Sequence, residues 1–153
     1  MTFMQKLRKS AKEKKGFTLI ELIIVIAIIA ILIALIAPNL VKFLSTARKT
    51  SVDANAKTAY TSIQTLLTQK ETANEKIQDG TYTIKLSTDE TSIEVSGVTA
   101  AAPAILITGT DLKEYFNLIE LKGAVITAKV AAGNTLDSIS WVANGKTGNY
   151  PKQ

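Results

Sequence analysis

The sequence predicts an α+β fold in which a long N-terminal helix packs on a small antiparallel β-sheet. Two changes in the hydrophobic pattern support this prediction. Apolar residues fill an uninterrupted stretch from Leu22 to Ala37 and then recur at helical spacing as far as about Lys70. From Asp79 onward the period changes to two, which is typical of a β-strand with one buried face.

The first 16 residues form a basic segment. They hold six lysines and arginines and one glutamate, so they carry the whole formal charge of +5 of this 153-residue chain. The remaining residues hold twelve basic and twelve acidic side chains, that is, 18 less six and 13 less one. A nucleic-acid-binding surface needs clustered basic residues, and the neutral remainder gives no reason to predict one there. We interpret residues 1–16 as a leader that precedes one modest domain.

The chain contains neither cysteine nor histidine. The absence of cysteine excludes disulfides, thiol catalysis and cysteine-ligated zinc. The absence of histidine removes the usual general base and the commonest transition-metal ligand. We therefore predict no catalytic residue, no metal site and no cofactor, and an enzyme that works with carboxylates alone is the remote alternative.

The apolar stretch is long enough to cross a membrane. Leu22 to Ala37 contains no charged or polar side chain, and residues 17–20 bring the stretch near the ~20 residues that a bilayer requires. Because the basic segment directly precedes it, the positive-inside rule places the N-terminus in the cytoplasm and the residues after Pro38 outside. A cleaved secretory signal fits less well, since the run is long and Leu35 stands where a small residue should precede a cut.

One acidic residue, Glu21, lies at the beginning of this apolar stretch. A carboxylate near the middle of a spanning helix costs about 2.5–3.5 kcal/mol, and less near the interface. Ionisable residues inside membranes are usually functional. A plain uncleaved anchor would account for the hydrophobicity and the orientation but not for Glu21, and chance tolerance close to the cytoplasmic surface is the alternative.

Alanines form a stripe along the apolar stretch. They are spaced by three, four and three residues, which at about 100° per residue places them on one helix face: Ala27, Ala30, Ala34 and Ala37. The opposite face carries Glu21, Val25, Ile28, Leu32 and Leu35. Small residues let a second helix approach closely within a membrane, so we predict an interface along the stripe. The alternative is that alanine is simply a common helix former.

Pro38 ends the apolar stretch. It lacks an N–H and clashes with the preceding turn, so we predict a kink over Ala34–Pro38. Residues 39–72 should continue as an amphipathic helix, because they contain no glycine or proline. Their apolar positions recur at helical spacing and form one face: Val52, Ala56, Ala59, Tyr60, Ile63, Leu66 and Leu67.

Residues 73–153 are predicted to form a globular head that contains the antiparallel sheet. Four segments alternate between apolar and polar residues: 81–86, 92–98, 123–130 and 137–143. We place Gly133 and Asn134 in the loop between the last two strands. Asn144-Gly145 is typical of a tight turn, which we place after the fourth strand.

Several other residues of the head have structural interpretations. Asp111 begins a sequence that resembles a capping box. The short helix predicted there has four apolar positions: Leu112, Tyr115, Phe116 and Ile119. Trp141 alternates with Ser140 in a predicted strand and is expected in the core, whereas Tyr150 near the C-terminus is expected to be more exposed.

Three acidic residues of the head are candidate ligands for calcium. Asp89, Glu90 and Glu94 supply oxygen ligands of the right kind, but their spacing matches no calcium-binding loop. We therefore predict a solvated turn at these residues.

The N-terminal sequence resembles a type IV prepilin. The resemblance covers about residues 10–60 and is carried by a basic leader, the sequence Gly16-Phe17-Thr18-Leu19-Ile20-Glu21, the apolar run and Pro38. It implies that a membrane peptidase cuts between Gly16 and Phe17 on the cytoplasmic side and methylates the new N-terminus at Phe17. Glycine suits such a cut because, without a Cβ, it lets the backbone enter a tight active site. Cutting would remove the +5 leader, so that the helix could leave the bilayer for a growing filament.

The resemblance also supplies a partner for Glu21. Cleavage creates an α-amine at Phe17 that is largely protonated near neutral pH, and in this family the glutamate meets the amine of a neighbouring subunit. Desolvation offsets much of the attraction in a buried ion pair, so the pair is better suited to setting register than to adding stability. A subunit docked one turn away would leave both charges unpaired in hydrocarbon.

The resemblance implies four segments along the chain. Residues 1–16 would be the cleaved cytoplasmic leader and residues 17–38 the transmembrane helix that becomes the filament core. Residues 39–72 would be the amphipathic helix, and residues 73–153 the head. The chain would be a single-pass protein of the cytoplasmic membrane before assembly and part of an extracellular filament afterwards.

The predicted function is that of a structural subunit of a type IV pilus, resembling a major pilin. Its filament would serve adhesion, aggregation or twitching motility. Its partners would be other copies of itself in a helical filament, a prepilin peptidase and methyltransferase, the pilus assembly platform and, before assembly, the membrane. One alternative is a minor pilin or pseudopilin of a type II secretion or DNA-uptake machine. Another is a plain membrane-anchored binding domain.

Overall fold

The computed structural model describes residues 16–99 and 104–151. Their helices and strands are, in chain order, α1 (Leu19–Thr72), β1 (Gly80–Leu86), β2 (Ile93–Ser96), α2 (Gly109–Leu112), β3 (Ala124–Ala131), β4 (Thr135–Ala143) and β5 (Lys146–Tyr150). The predicted α+β fold, a long N-terminal helix packed on an antiparallel sheet, is confirmed.

The chain divides into two compact units, Met1–Phe43 and Leu44–Gln153. In the first unit, every described side chain is exposed. Helix α1 begins in this unit and continues through Pro38 without a break in the helical assignment. The kink predicted near Pro38 stays a prediction.

The second unit is held together by apolar packing between α1 and the sheet. Six residues of the predicted apolar face are buried, and they are Val52, Ala56, Ala59, Ile63, Leu66 and Leu67. Tyr60, the seventh, is partly buried against the same core. The sheet contributes buried side chains from every second position of its strands, including Tyr82, Ile84, Ile126, Ala128, Ile139 and Trp141. The apolar face of the helix and the apolar faces of the strands are therefore buried in one shared core.

The sheet has five strands in the order β2-β1-β3-β4-β5, and all neighbouring pairs are antiparallel. Four of these strands lie at the predicted segments. The fifth, β5, was missed because its sequence, residues 146–150, lacks the apolar alternation on which the other assignments depend.

The turn before β5 was predicted correctly. Asn144 and Gly145 have φ values of 52° and 69° and connect the paired residues Ala143 and Lys146. Two central residues with positive φ form the type I′ turn that matches the twist of a β-hairpin. This turn sets the register of β5 against β4.

Strand β5 lies directly against the backbone of α1. A Cβ built on Gly148 would come within 2.2 Å of the Val52 carbonyl oxygen and within 2.6 Å of the Asp53 nitrogen. Next to this contact, the Lys49 ammonium donates hydrogen bonds of 2.6 Å to the Asp53 carboxylate and to the Thr147 carbonyl oxygen. Only glycine allows helix and strand to approach this closely.

Helix α2 begins one turn earlier than predicted. Its N-cap is Thr108, whose N–H donates to the Asp111 carboxylate at 2.9 Å, while the Asp111 N–H donates back to the Thr108 hydroxyl at 3.3 Å. Asp111 therefore closes the capping box instead of opening it. The helix ends at Leu112, so Phe116 is buried after the following turn, outside the helix, and Ile119 is 80% exposed.

The end of α1 is tied to the segments that follow it. The Lys70 ammonium lies 2.9 Å from the Glu75 carboxylate and 3.1 Å from that of Asp111. Both carboxylates, with Glu75 the larger influence, raise the pKa of Lys70. The residues just after α1 are also held by the buried Asn134, which accepts from the Ile77 N–H and donates to the Glu75 carbonyl oxygen, each at 2.8 Å. Ion pairs and hydrogen bonds, and no disulfide, thus hold the end of α1 against the segments that follow it.

The two aromatic residues singled out in the sequence have different surroundings. Trp141 is 3% exposed, which confirms its expected place in the core. Tyr150 is more exposed than Trp141, as expected, but it is partly buried against the core. Its ring packs edge to face against Tyr60, with ring centroids 4.9 Å apart. The missed strand β5 explains this packing, because pairing with β4 holds Tyr150 on the sheet.

Candidate functional site

The N-terminus of α1 is closed by a reciprocal cap between Thr18 and Glu21. The Thr18 N–H and hydroxyl donate to Glu21 Oε2 at 3.0 Å and 2.7 Å. The Glu21 N–H donates back to the Thr18 hydroxyl at 3.3 Å. This arrangement is a capping box, which satisfies backbone donors that the first helical turn would leave without partners.

The capping box gives Glu21 a partner within its own chain. From the sequence, Glu21 was expected to have a partner only in a second subunit, and the role of Thr18 was missed. The spacing Thr-x-x-Glu directly before an apolar run was the signal that would have revealed it. Because both residues follow the predicted cleavage position, removal of the leader leaves the capping box intact.

The predicted cleavage position lies just before the helix. Gly16 and Phe17 are exposed and precede the first helical residue, Leu19. A Cβ built on Gly16 would meet no atom of the described residues within 4 Å. Packing therefore does not require glycine at this position, and the rest of the predicted leader, residues 1–15, lies outside the described residues.

The apolar part of α1 presents a continuous exposed surface. Its large side chains between Leu19 and Leu44 are 44–78% exposed. The four alanines of the predicted stripe, Ala27, Ala30, Ala34 and Ala37, lie in this helix and are also exposed. By length and composition α1 is able to cross a membrane. A surface of this size needs lipid or another apolar surface to cover it.

The acidic residues considered for calcium each have another partner. The Asp89 carboxylate accepts hydrogen bonds from the hydroxyls of Ser87 and Thr91, and these lower its pKa to about 2. Glu90 pairs with Lys122 at 2.9 Å, and Glu94 pairs with Lys85 at 3.0 Å. In the part of the chain that the structure describes, no group of three or more such residues is placed to hold a metal ion.

The fold and this site together define a protein with an apolar N-terminal helix, consistent with membrane anchoring, that leads into an α+β unit. Residues 11–37 match the family described as the prokaryotic N-terminal methylation motif, which is the type IV prepilin signature. This signature supports a type IV pilin-like or pseudopilin protein. No match was found among curated proteins or among solved structures.

The signature has consequences for processing and assembly. It implies cleavage by a prepilin peptidase and assembly into pilus-like filaments, and it indicates a structural protein. The matched residues end at Ala37, so the strands and loops of the second unit lie beyond the match.

The capping box should influence assembly separately from the charge of Glu21. Thr18→Val removes both hydroxyl contacts, and loss of an N-cap typically costs about 1 kcal/mol, or roughly five-fold in an equilibrium constant. We expect several-fold fewer filaments per processed subunit, measured by immunoblotting of sheared and membrane fractions. Thr18→Ser, which keeps the hydroxyl, is the matched control and should behave like the wild type. Equal yields from both variants would show that the cap has no role in assembly.

Proposed function

We propose that this chain is the major structural subunit of a type IV pilus. The proposal rests on the exposed apolar helix α1. In its first turn, Glu21 forms a capping box with Thr18 and lies four residues after the predicted mature N-terminus. Such a helix can be covered by lipid before assembly and by other copies of itself afterwards. The second unit would then lie on the filament surface and provide for adhesion, aggregation or twitching motility.

Removal of the leader allows α1 to leave the lipid and pack against other copies of itself. The leader carries six basic residues, and these hold the chain on the cytoplasmic face of the membrane. Cleavage between Gly16 and Phe17 removes them and leaves one α-amine, which the prepilin peptidase then methylates. The mature helix from Phe17 onward can pass from the membrane to the assembly platform.

In the filament we assign distinct roles to two faces of α1. The Phe17 amine of one subunit pairs with Glu21 of its neighbour and sets the register between them. The alanine stripe, on the opposite face, allows a second neighbouring helix to approach closely. Residues 17–38 thus form the filament core, residues 39–72 support the sheet, and residues 73–153 form the outer part.

A minor pilin or pseudopilin of a secretion or DNA-uptake machine is the second candidate. Minor subunits at a filament tip often lack the glutamate, so the presence of Glu21 favours a subunit of the filament body. Abundance distinguishes the two candidates: a major subunit would dominate filaments sheared from the cell surface, whereas a minor one would be a trace component.

Mass spectrometry of the mature N-terminus tests the processing step. We expect the mature chain to begin at Phe17 and to carry one methyl group on its α-amine. Gly16→Val should retain the leader and prevent methylation, because its branched side chain obstructs the backbone in the peptidase. A wild-type chain that keeps its leader would contradict the proposed function, and a cleaved chain without the methyl group would restrict it to the peptidase step.

A further inference from the structure

A second set of charges on α1 repeats the spacing of the first. Phe17, whose amine becomes positive on cleavage, precedes Glu21 by four residues. Farther along the same helix, Lys49 precedes Asp53 by four residues, and Lys57 follows Asp53 by four. Both sets therefore place a positive group four residues before a carboxylate.

The side chains of the second set are accessible to a neighbouring molecule. Lys49 and Asp53 form an ion pair of 2.6 Å, and their side chains are 49% and 21% exposed. Lys57 is exposed, and within the described residues its ammonium forms no ion pair. The helix thus presents a carboxylate with one lysine bound on one side and a second lysine available on the other.

We propose that Asp53 pairs with Lys57 of a neighbouring copy of this chain, and Lys49 with Asp53 of the same neighbour, so that this charge set fixes the same stagger as the Phe17 amine and Glu21. The inference rests on the proposed filament. Pairing the amine with Glu21 of a neighbour shifts the two helices by four residues, about 6 Å at 1.5 Å per residue. Helical symmetry gives every part of a subunit the same axial rise, so the rise set by the Phe17 amine and Glu21 also separates the copies of Asp53.

Charge complementarity favours a shift of four residues over other values. We compared shifts of one to twelve residues between two parallel copies of α1 after Pro38. A shift of four brings two opposite pairs level, Lys49 with Asp53 and Asp53 with Lys57, and no like pair. Shifts of five and eleven give one opposite pair each, with Arg48 or Lys42 opposite Asp53.

The other shifts in this range are neutral or unfavourable. Shifts of six, seven, eight and nine bring two basic residues level with each other. A shift of one gives one like pair and one opposite pair, Lys70 with Glu71, and shifts of two, three, ten and twelve bring no charged pair together. Like charges that face each other across an interface suppress the wrong arrangement. The charge set therefore discourages misaligned subunits as well as favouring the aligned one.

Cysteine cross-linking tests the stagger directly, because the chain has no cysteine of its own. We would co-express two single variants in one cell, Asp53→Cys and Lys57→Cys, shear the filaments and oxidise them with copper phenanthroline. A disulfide between these positions then joins two different chains. The pair Lys49→Cys with Asp53→Cys tests the same shift, and Lys49→Cys with Lys57→Cys, eight residues apart, is the matched control.

We expect at least ten-fold more disulfide-linked dimer from both four-residue pairs than from the eight-residue control. Filaments in which the control cross-links as well as the four-residue pairs would overturn this inference and leave the proposed function intact. Absence of filaments from the unmodified chain would overturn the proposed function, and this inference with it.

Charge reversal provides a second measurement that does not depend on cysteine geometry. Lys57→Glu places two carboxylates level at a shift of four, and we expect a several-fold loss of filaments that is partly relieved by high salt, since salt screens exposed charges. Lys113→Glu, another exposed lysine, is the control and should leave the yield unchanged. Equal yields from the two variants would overturn the inference.

Discussion

Glu21→Ala should abolish filaments while leaving the subunit processed and in the membrane. In the proposed filament, the substitution leaves the Phe17 amine of a neighbouring subunit without a counter-charge in an apolar interface. Removing one partner of a buried ion pair typically costs about 3–5 kcal/mol, so we expect at least a hundred-fold loss of assembly. Insertion should be unaffected or improved, because the cost of a carboxylate within the apolar segment disappears.

Glu21→Gln separates the charge from the cap. The amide oxygen can still accept hydrogen bonds from Thr18, but it offers no counter-charge to the amine. We therefore expect its filament yield to lie much closer to that of Glu21→Ala than to that of the wild type. Filaments would be counted by electron microscopy, and processing would be followed by N-terminal mass spectrometry. Abundant filaments from Glu21→Ala would refute the register role of this residue.

Gly148→Ala is expected to destabilise the second unit strongly. The new Cβ would lie 2.2 Å from the Val52 carbonyl oxygen, so α1 and β5 must separate. Overpacking costs typically about 1–3 kcal/mol, and here we expect the upper end because the opposing atoms belong to a helix backbone. At about 4 °C per kcal/mol, the melting temperature should fall by about 12 °C. Circular dichroism of the detergent-solubilised chain would measure it.

Gly145→Ala is the matched control for this prediction. It also adds one methyl group to a glycine beside β5, but a Cβ there would meet no atom within 4 Å. Its φ of +69° costs an alanine about 1 kcal/mol. If the two variants were equally unstable, backbone strain or loss of flexibility would explain the effect and the close approach of α1 to β5 would not.

The sequence predicted those parts of the fold in which one period repeats over many residues. Helix α1 has an apolar run followed by an apolar face, and residues such as Val52 and Ile63 then appear where 3.6-residue spacing places them. Strands β1, β3 and β4 alternate clearly, with Ile126 and Ile139 on the buried face. Long repeats leave few alternative assignments.

The parts that were missed have a weak or ambiguous local pattern. Strand β5 has little hydrophobic signal, and it is held by pairing with β4 and by the approach of Gly148 to Val52. Helix α2 is one turn long, so its start was decided by which of two polar residues, Thr108 or Asp111, acts as the cap. The strand therefore depends on contacts between distant residues, whereas the helix start was a choice between two neighbouring polar residues that can both cap a helix.

The candidate site was predictable to a different degree. Gly16, Phe17 and Glu21 lie within six consecutive positions, so their spacing can be read directly from the sequence. The bond network between Thr18 and Glu21 is equally local and was recognisable from its spacing. Contacts between subunits have no such local signal, and the charges around Asp53 became informative only when two helices were compared at a defined shift.

Strand β5 ends the sheet on one side, and such an outer strand can pair its backbone with a second chain. Here the Thr147 carbonyl oxygen already accepts from Lys49, and the α1 backbone lies against Gly148. Subunits of a filament are held side by side for as long as it persists, which favours fusion of exposed strands into amyloid-like sheets. Because α1 covers β5, the strand cannot pair with a strand of a neighbouring subunit. Variants that release β5 should therefore aggregate as well as unfold.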